Sequence, residues 1–212
     1  MATFAQNPVV IAPGGFGVNH NYSISCSAGN TLGILTEDVF SDITSVELIG
    51  ATGTFPAADY TNGLQRAYSY SNLPSGVTGV RIVTAAGHND VQCVVFEGTG
   101  QLSFDVGATM TPAFTATVTA TVTTTATDDL LVARWIAGSD TFTPDAGYAG
   151  SAVVSSYVAE YNSSALGAAG SETISGTFSG SIGGRGGFAV AYKSAGGGGG
   201  PTTYNLSSDI YL

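Results

Sequence analysis

The chain has 212 residues, a formal net charge of −10, 43% hydrophobic residues and only 9% charged ones. With one lysine, Lys193, and four arginines, it carries no basic stripe able to neutralise several phosphates, which argues against nucleic acid as a direct partner. The apolar content excludes an acidic disordered chain, and no run reaches the ~20 apolar residues that span a bilayer, so no membrane association is expected.

The opening stretch MATFAQNPVVIAPGG has neither a basic segment nor an apolar core of signal-peptide length, and no signal peptide is expected. Pro8, Pro13 and the run PGGFG punctuate it, so residues 1–21 read as one short strand within an extended N-terminal arm. From there strand-like segments recur: NYSISCS, TLGILT, DITSVELIG, QRAYSYSNL, GVRIVTA and VQCVVFEG. The clearest alternation is FTATVTATVTTT, residues 114–125, where threonine on every second position alternates with Ala or Val. A strand with one hydroxylated and one apolar face produces this pattern, whereas a helix scatters the same residues round its surface. LLVARWIAG, SAVVSSYVAEY, SETISGTFSG and GGFAVAYKS complete the series. Turn clusters such as LPSG, AGHND, PDAG and SIGGRGG separate them. About a dozen short strands and no helical spacing predict an all-β chain folded as an antiparallel, jelly-roll-like β-sandwich over 22–195, with extended N- and C-terminal arms.

Beyond it, residues 196–212 begin with five consecutive glycines and end in PTTYNLSSDIYL. Tyr204, Leu206, Ile210, Tyr211 and Leu212 give this tail the composition of a strand that prefers a partner to water. It reads as a tether carrying a partner-binding segment, able to add to a neighbour's sheet edge.

No residue set in the chain spells a catalytic or cofactor motif. His20 and His88 are the only side chains with ordinary pKa values near neutrality, and each reads as a loop histidine; no nucleophile elbow accompanies them. Glu37, Asp38 and Asp42 in TEDVFSD, and Asp128 and Asp129 in TDDL, lack the spacing of a calcium loop; the latter pair reads as turn-shaping. No metal or cofactor is expected. GGRGG, residues 183–187, lacks the strand–loop–helix context of a phosphate loop and reads as a hairpin loop. Cys26 and Cys93, in apolar runs, read as buried thiols, a disulfide requiring a Cα separation that sequence does not give. For a sugar ligand the available aromatics are Trp135, Tyr60, Tyr68, Tyr148, Tyr157 and Tyr161, with core packing of Trp135 the competing reading.

Taken in order, AGNTLGILT, ITSVELIGATGTF, RAYSYSNLPSGVTGVRIVTA, VQCVVFEGTG, TVTTTATDDLLVARWIAG and SETISGTFSGSIGGRGGFAVAYKSA resemble a β-sandwich domain of bacteriophage virion proteins and of large repetitive bacterial surface proteins. The most specific piece is YSNLPSGVTGVRIV, residues 70–83, in which Pro74 and Gly76 form the turn; Gly33 and the stretch 145–166 depart from the pattern. The resemblance implies a non-enzymatic virion structural protein: a capsid decoration or cement protein, or a tail or fibre accessory. It would be present in multiple copies and dock on other virion proteins, capsid or tail subunits. The alternative is a receptor- or carbohydrate-binding adhesion module that recognises a host glycan.

Overall fold

The computed structural model describes residues 2–12, 16–37, 43–88, 91–154, 156–180 and 185–195, and among them there are sixteen strands and no helix. The first eight are β1 (Phe4–Ile11), β2 (Gly17–Ser23), β3 (Thr31–Glu37), β4 (Ile43–Ile49), β5 (Tyr60–Asn62), β6 (Gln65–Tyr70), β7 (Gly79–His88) and β8 (Cys93–Gly98). The second eight are β9 (Leu102–Ala113), β10 (Thr117–Thr124), β11 (Leu130–Ile136), β12 (Phe142–Pro144), β13 (Tyr148–Gly150), β14 (Tyr157–Asn162), β15 (Gly170–Phe178) and β16 (Arg185–Ser194).

These strands form four antiparallel sheets, and the second half repeats the first strand for strand. The first half has a five-stranded sheet β1-β8-β3-β6-β5 and a three-stranded sheet β2-β7-β4. Adding eight to every number gives the sheets of the second half, β9-β16-β11-β14-β13 and β10-β15-β12. Within each half the pairs nest, first strand with last, second with seventh, third with sixth. The fourth pair that closes such a nest in a jelly roll does not form among the described residues, because β5 and β13 join the larger sheets instead.

Three apolar layers hold the four sheets together. Tyr22, Leu32, Ile34, Val80, Ile82 and Val95 belong to the core between the two sheets of the first half. Val118, Val122, Leu131, Trp135, Ile174 and Ala189 do the same for the second half. Between them lies a shared core in which Leu35, Val94 and Phe96 of the first half meet Leu130, Val132, Phe188, Val190 and Tyr192 of the second. The five-stranded sheets are therefore covered on both faces, which is why β3, β8, β11 and β16 read as nearly unbroken apolar runs. The three-stranded sheets cover one core face only, and β10 shows the resulting strict alternation of exposed and buried residues. Its outer face, with that of β15, is a ladder of hydroxyls, Thr117 opposite Thr177, Thr119 opposite Ser175 and Thr121 opposite Thr173.

The chain is all-β, with antiparallel sheets packed as sandwich-like layers, as expected, and the pairing of the strands refines that picture at two points. Within residues 1–21, expected as an arm, the two described strands are paired into sheets: β1 pairs with β8 from Phe4↔Gly98 to Ile11↔Cys93, and β2 pairs with β7. Pro8 is accommodated because β1 is a sheet edge and the register shifts between Gln6 and Val9, where a missing N–H breaks no ladder bond. And where one sandwich over 22–195 was expected, two sandwiches share a central core, with β1 and β2 as integral parts of the first.

The halves stack with like ends together. Thr31 and Leu102, at the starts of β3 and β9, are joined by a bond from the Leu102 N–H to the Thr31 hydroxyl, 2.7 Å. Glu37 and Arg134, towards the ends of β3 and β11, form an ion pair at 2.9 Å. Two ends of the stack follow: a linker end, with the β8–β9 connection and Ala195, whose N–H donates to Gln101 O, and a far end, where each half turns from its first strand to its second.

Candidate functional site at the linker end

A cleft of about 540 Å³ opens at the linker end where the two halves meet. Its first wall comes from β6 and its flanks, with Tyr70 as the aromatic face and Ser71 and Asn72 on the rim. Tyr70 is fixed edge-on to Phe55 at 5.4 Å between ring centroids. Asn72 takes φ 57°, a left-handed conformation that asparagine tolerates better than most residues and that turns its exposed amide past the strand end. The opposite wall is the start of β9, where Ser103 and the half-buried ring of Phe104 line the cleft. Phe104 is held edge-on by Tyr192 at 6.0 Å.

Asp59 supplies the charge. Burial pushes its carboxyl above the usual aspartate range, and hydrogen bonds from Ser69 and the Tyr192 hydroxyl pull it back only in part. The Tyr192 bond is 3.3 Å. No lysine or arginine lines the cleft, so the site offers an anion no attraction. It presents two aromatic rings, one carboxylate and a set of serine and asparagine groups.

The residues singled out from the sequence lie elsewhere. Trp135 is wholly buried in the core of the second half, its Nε1–H donating to Glu160 at 2.7 Å, so it offers no face to a ligand. Alternation on β11 places it with Leu131 and Ala133 towards that core. Tyr68 and Tyr161 are core residues, Tyr60 stacks on Phe188 at 5.7 Å, Tyr157 lies beneath the Arg134 guanidinium, and Tyr148 donates to Thr173 O. Tyr204, Leu206, Ile210, Tyr211 and Leu212 lie outside the described residues, as do Asp38 and Asp42. His20 is not a loop residue but sits buried within β2.

Cys26 and Cys93 are free thiols, both pushed up to about 12 by burial, which leaves them protonated and poor nucleophiles at neutral pH. Arg185 of the GGRGG stretch is fully buried, bonded to Ala137 O and Gly180 O, paired with Asp140 and stacked over Phe178. It is a structural pin for the entry to β16. Asp129 accepts locally from the Ala126 N–H, as a turn-shaping residue does, whereas Asp128 accepts from the distant Ser194 hydroxyl of β16. Among the described residues no group of three or more His, Cys, Asp or Glu side chains could hold a metal ion.

Tyr70 and Phe104 escaped the sequence reading because the cleft is made by juxtaposing the two halves. The duplication of strand order, which sets the end of β6 beside the start of β9, where the Ser71 hydroxyl donates to Leu102 O, leaves no repeat visible in the residues themselves. Comparison with known proteins finds no matching family model, no matching curated protein and no matching solved structure.

Proposed function

We propose that the chain is a non-enzymatic attachment protein, a rigid body that docks end-on to neighbouring subunits. More particularly, we read it as a structural protein of a bacteriophage particle, a capsid decoration or a tail or fibre accessory carried in multiple copies. The observation that carries this reading is the distribution of exposed apolar side chains. Phe16 and Phe114, 74% and 84% exposed, are at corresponding places, the β1–β2 and β9–β10 turns, so like-end stacking brings both to the far end. Leu64 on the β5–β6 turn and Val18 near the start of β2 are exposed at the same end, and Val9 stands close to it near the end of β1. These are all the exposed large apolar side chains among the described residues, and their location towards one end of the stack supports an interaction surface there.

The polar remainder of the surface fits a protein that must stay soluble at high local concentration. The Thr and Ser ladder of β10 and β15 is uncharged and hydrated, and copies bearing ten net negative charges resist non-specific association. The described chain ends with Ala195 at the linker end, and the partner-binding segment expected at Tyr204, Leu206, Ile210, Tyr211 and Leu212 lies outside the described residues.

The test is a triple variant, Phe16→Ser, Leu64→Ser and Phe114→Ser. Each side chain is exposed, so the thermal transition should stay within a few degrees of the parent, while occupancy on purified particles, read by quantitative mass spectrometry, should fall at least tenfold. Undiminished occupancy overturns the docking role of the far end.

A further inference from the structure

We infer that the linker-end cleft is a binding site for a neutral saccharide. The inference does not rest on end-on docking, because cleft and apolar turns occupy opposite ends of the stack and are tested by different variants.

The two halves are related by pseudo-symmetry. In β3 and β11, both seven residues long, Gly33 corresponds to Val132 and Thr31 to Leu130. Gly33 pairs with Ser69 and Val132 with Tyr161, so Ser69 and Tyr161 are counterparts. Thr31 pairs with Gly98, opposite Phe4, and Leu130 with Tyr192, opposite Phe104, so Phe4 and Phe104 are counterparts too. On one side of the molecule Phe4 packs edge-on against Tyr161 at 5.4 Å. On the other, a serine replaces the tyrosine and the space beside Phe104 stays open as the cleft. The same fold thus fills one of two related positions and leaves the other vacant and polar.

What lines the vacancy selects the ligand. A ring with C–H groups on one face and hydroxyls at its edge can lie against Tyr70 or Phe104 while exchanging hydrogen bonds with Asn72, Ser103 and Asp59. A carboxylate accepts from two neighbouring hydroxyls at once, and charge-assisted bonds of this kind are the stronger ones. Phosphate, sulfate and acidic sugars meet Asp59 without any cationic partner. A purely apolar ligand would leave Asp59 and the rim groups desolvated and unpaired. The volume of about 540 Å³ falls in the usual range for small-molecule sites, and such sites favour junctions between domains.

The experiment titrates the full chain with a panel of neutral di- to tetrasaccharides of glucose, galactose, mannose and their N-acetylated forms, followed by ligand-observed NMR and calorimetry. Tetramethylammonium serves as a competing probe for a cation site. At least one saccharide should bind, and Asn72→Gly, which keeps the left-handed backbone and removes only the amide, should weaken it at least tenfold. Ser69→Tyr, which copies the closed counterpart, should abolish binding; if that variant does not fold, Ser103→Trp blocks the cleft from its rim. Absence of saccharide binding at millimolar concentration, binding indifferent to these substitutions, or binding of tetramethylammonium alone each overturns the inference.

Discussion

Phe96→Ala is expected to destabilise both halves of the protein together, by about 3–5 kcal/mol. Phe96 is a fully buried β8 residue whose ring lies over the backbone of Gly33, edge-on to Phe4 at 5.8 Å and tilted against Tyr192 at 5.5 Å. It therefore fills the shared core rather than the private core of the first half. Gly33, which weakens the strand pattern of β3 in sequence, has its reason here, since a Cβ at that position would run into the Phe96 ring. The readout is built in: Trp135, the single tryptophan, is buried in the core of the second half. Urea unfolding followed by its fluorescence should shift to lower denaturant in Phe96→Ala, although the substitution is in the first half. A Trp135 transition at the parent midpoint would show that the halves unfold independently and that the shared core does not couple them.

Stability should rise on acidification from pH 8 to pH 5, and Glu160→Gln should remove much of that dependence. Glu160 is wholly buried, and burial pushes its carboxyl from 4.5 up to about 8, with the Trp135 hydrogen bond offsetting only part of the shift. Asp129 follows in the same direction, raised to about 6 by burial and by the charge of Asp105. Below its ordinary value Glu160 is protonated folded or unfolded, and contributes no pH dependence. Between 4.5 and about 8 the unfolded chain releases the proton while the folded chain keeps it, so stability falls as pH rises, and levels off above. The full shift corresponds to roughly 4–5 kcal/mol. Asp105 works the other way: hydrogen bonds from Lys193 and Thr125 and the Lys193 charge outweigh its burial and lower its value, so its contribution is lost only at acid pH. In the Glu160→Gln variant the amide oxygen can still accept from the Trp135 Nε1–H. The variant should therefore match the parent near pH 4 and exceed it by at least 2 kcal/mol, on the order of half the full shift, at pH 9. Denaturant titrations across that range test this, and parallel curves for parent and variant would refute the assignment.

The sheet content was legible because side-chain alternation survives in short segments, and the Thr-rich strand shows it most openly. The doubly buried strands left a trace as well. LLVARWI and CVVFEG are apolar on both faces, which in an antiparallel protein means cover on both sides, yet each alone is equally compatible with the centre of a single sandwich. The duplication stayed hidden because corresponding positions differ in residue type: Gly33 stands against Val132, Ser69 against Tyr161, and the seven residues of β4 against three in β12. Pro8 and Pro13 suggested an arm, and only the bulge on an edge strand explains how Pro8 lies within a sheet. Trp135 and the cleft residues illustrate the same limit from two sides. A strand residue's face is fixed only relative to its neighbours, and the like-end stacking of the halves decides which surfaces become core, cleft or docking end.

The end-on docking of this two-sandwich body is tested most directly by hydroxyl-radical footprinting of the protein free and bound on purified particles. Strong protection is predicted at Phe16, Leu64 and Phe114, with Pro56 and Asn72 at the linker-end cleft reacting as in the free protein. Protection of the cleft residues with Phe16, Leu64 and Phe114 left reactive would contradict it.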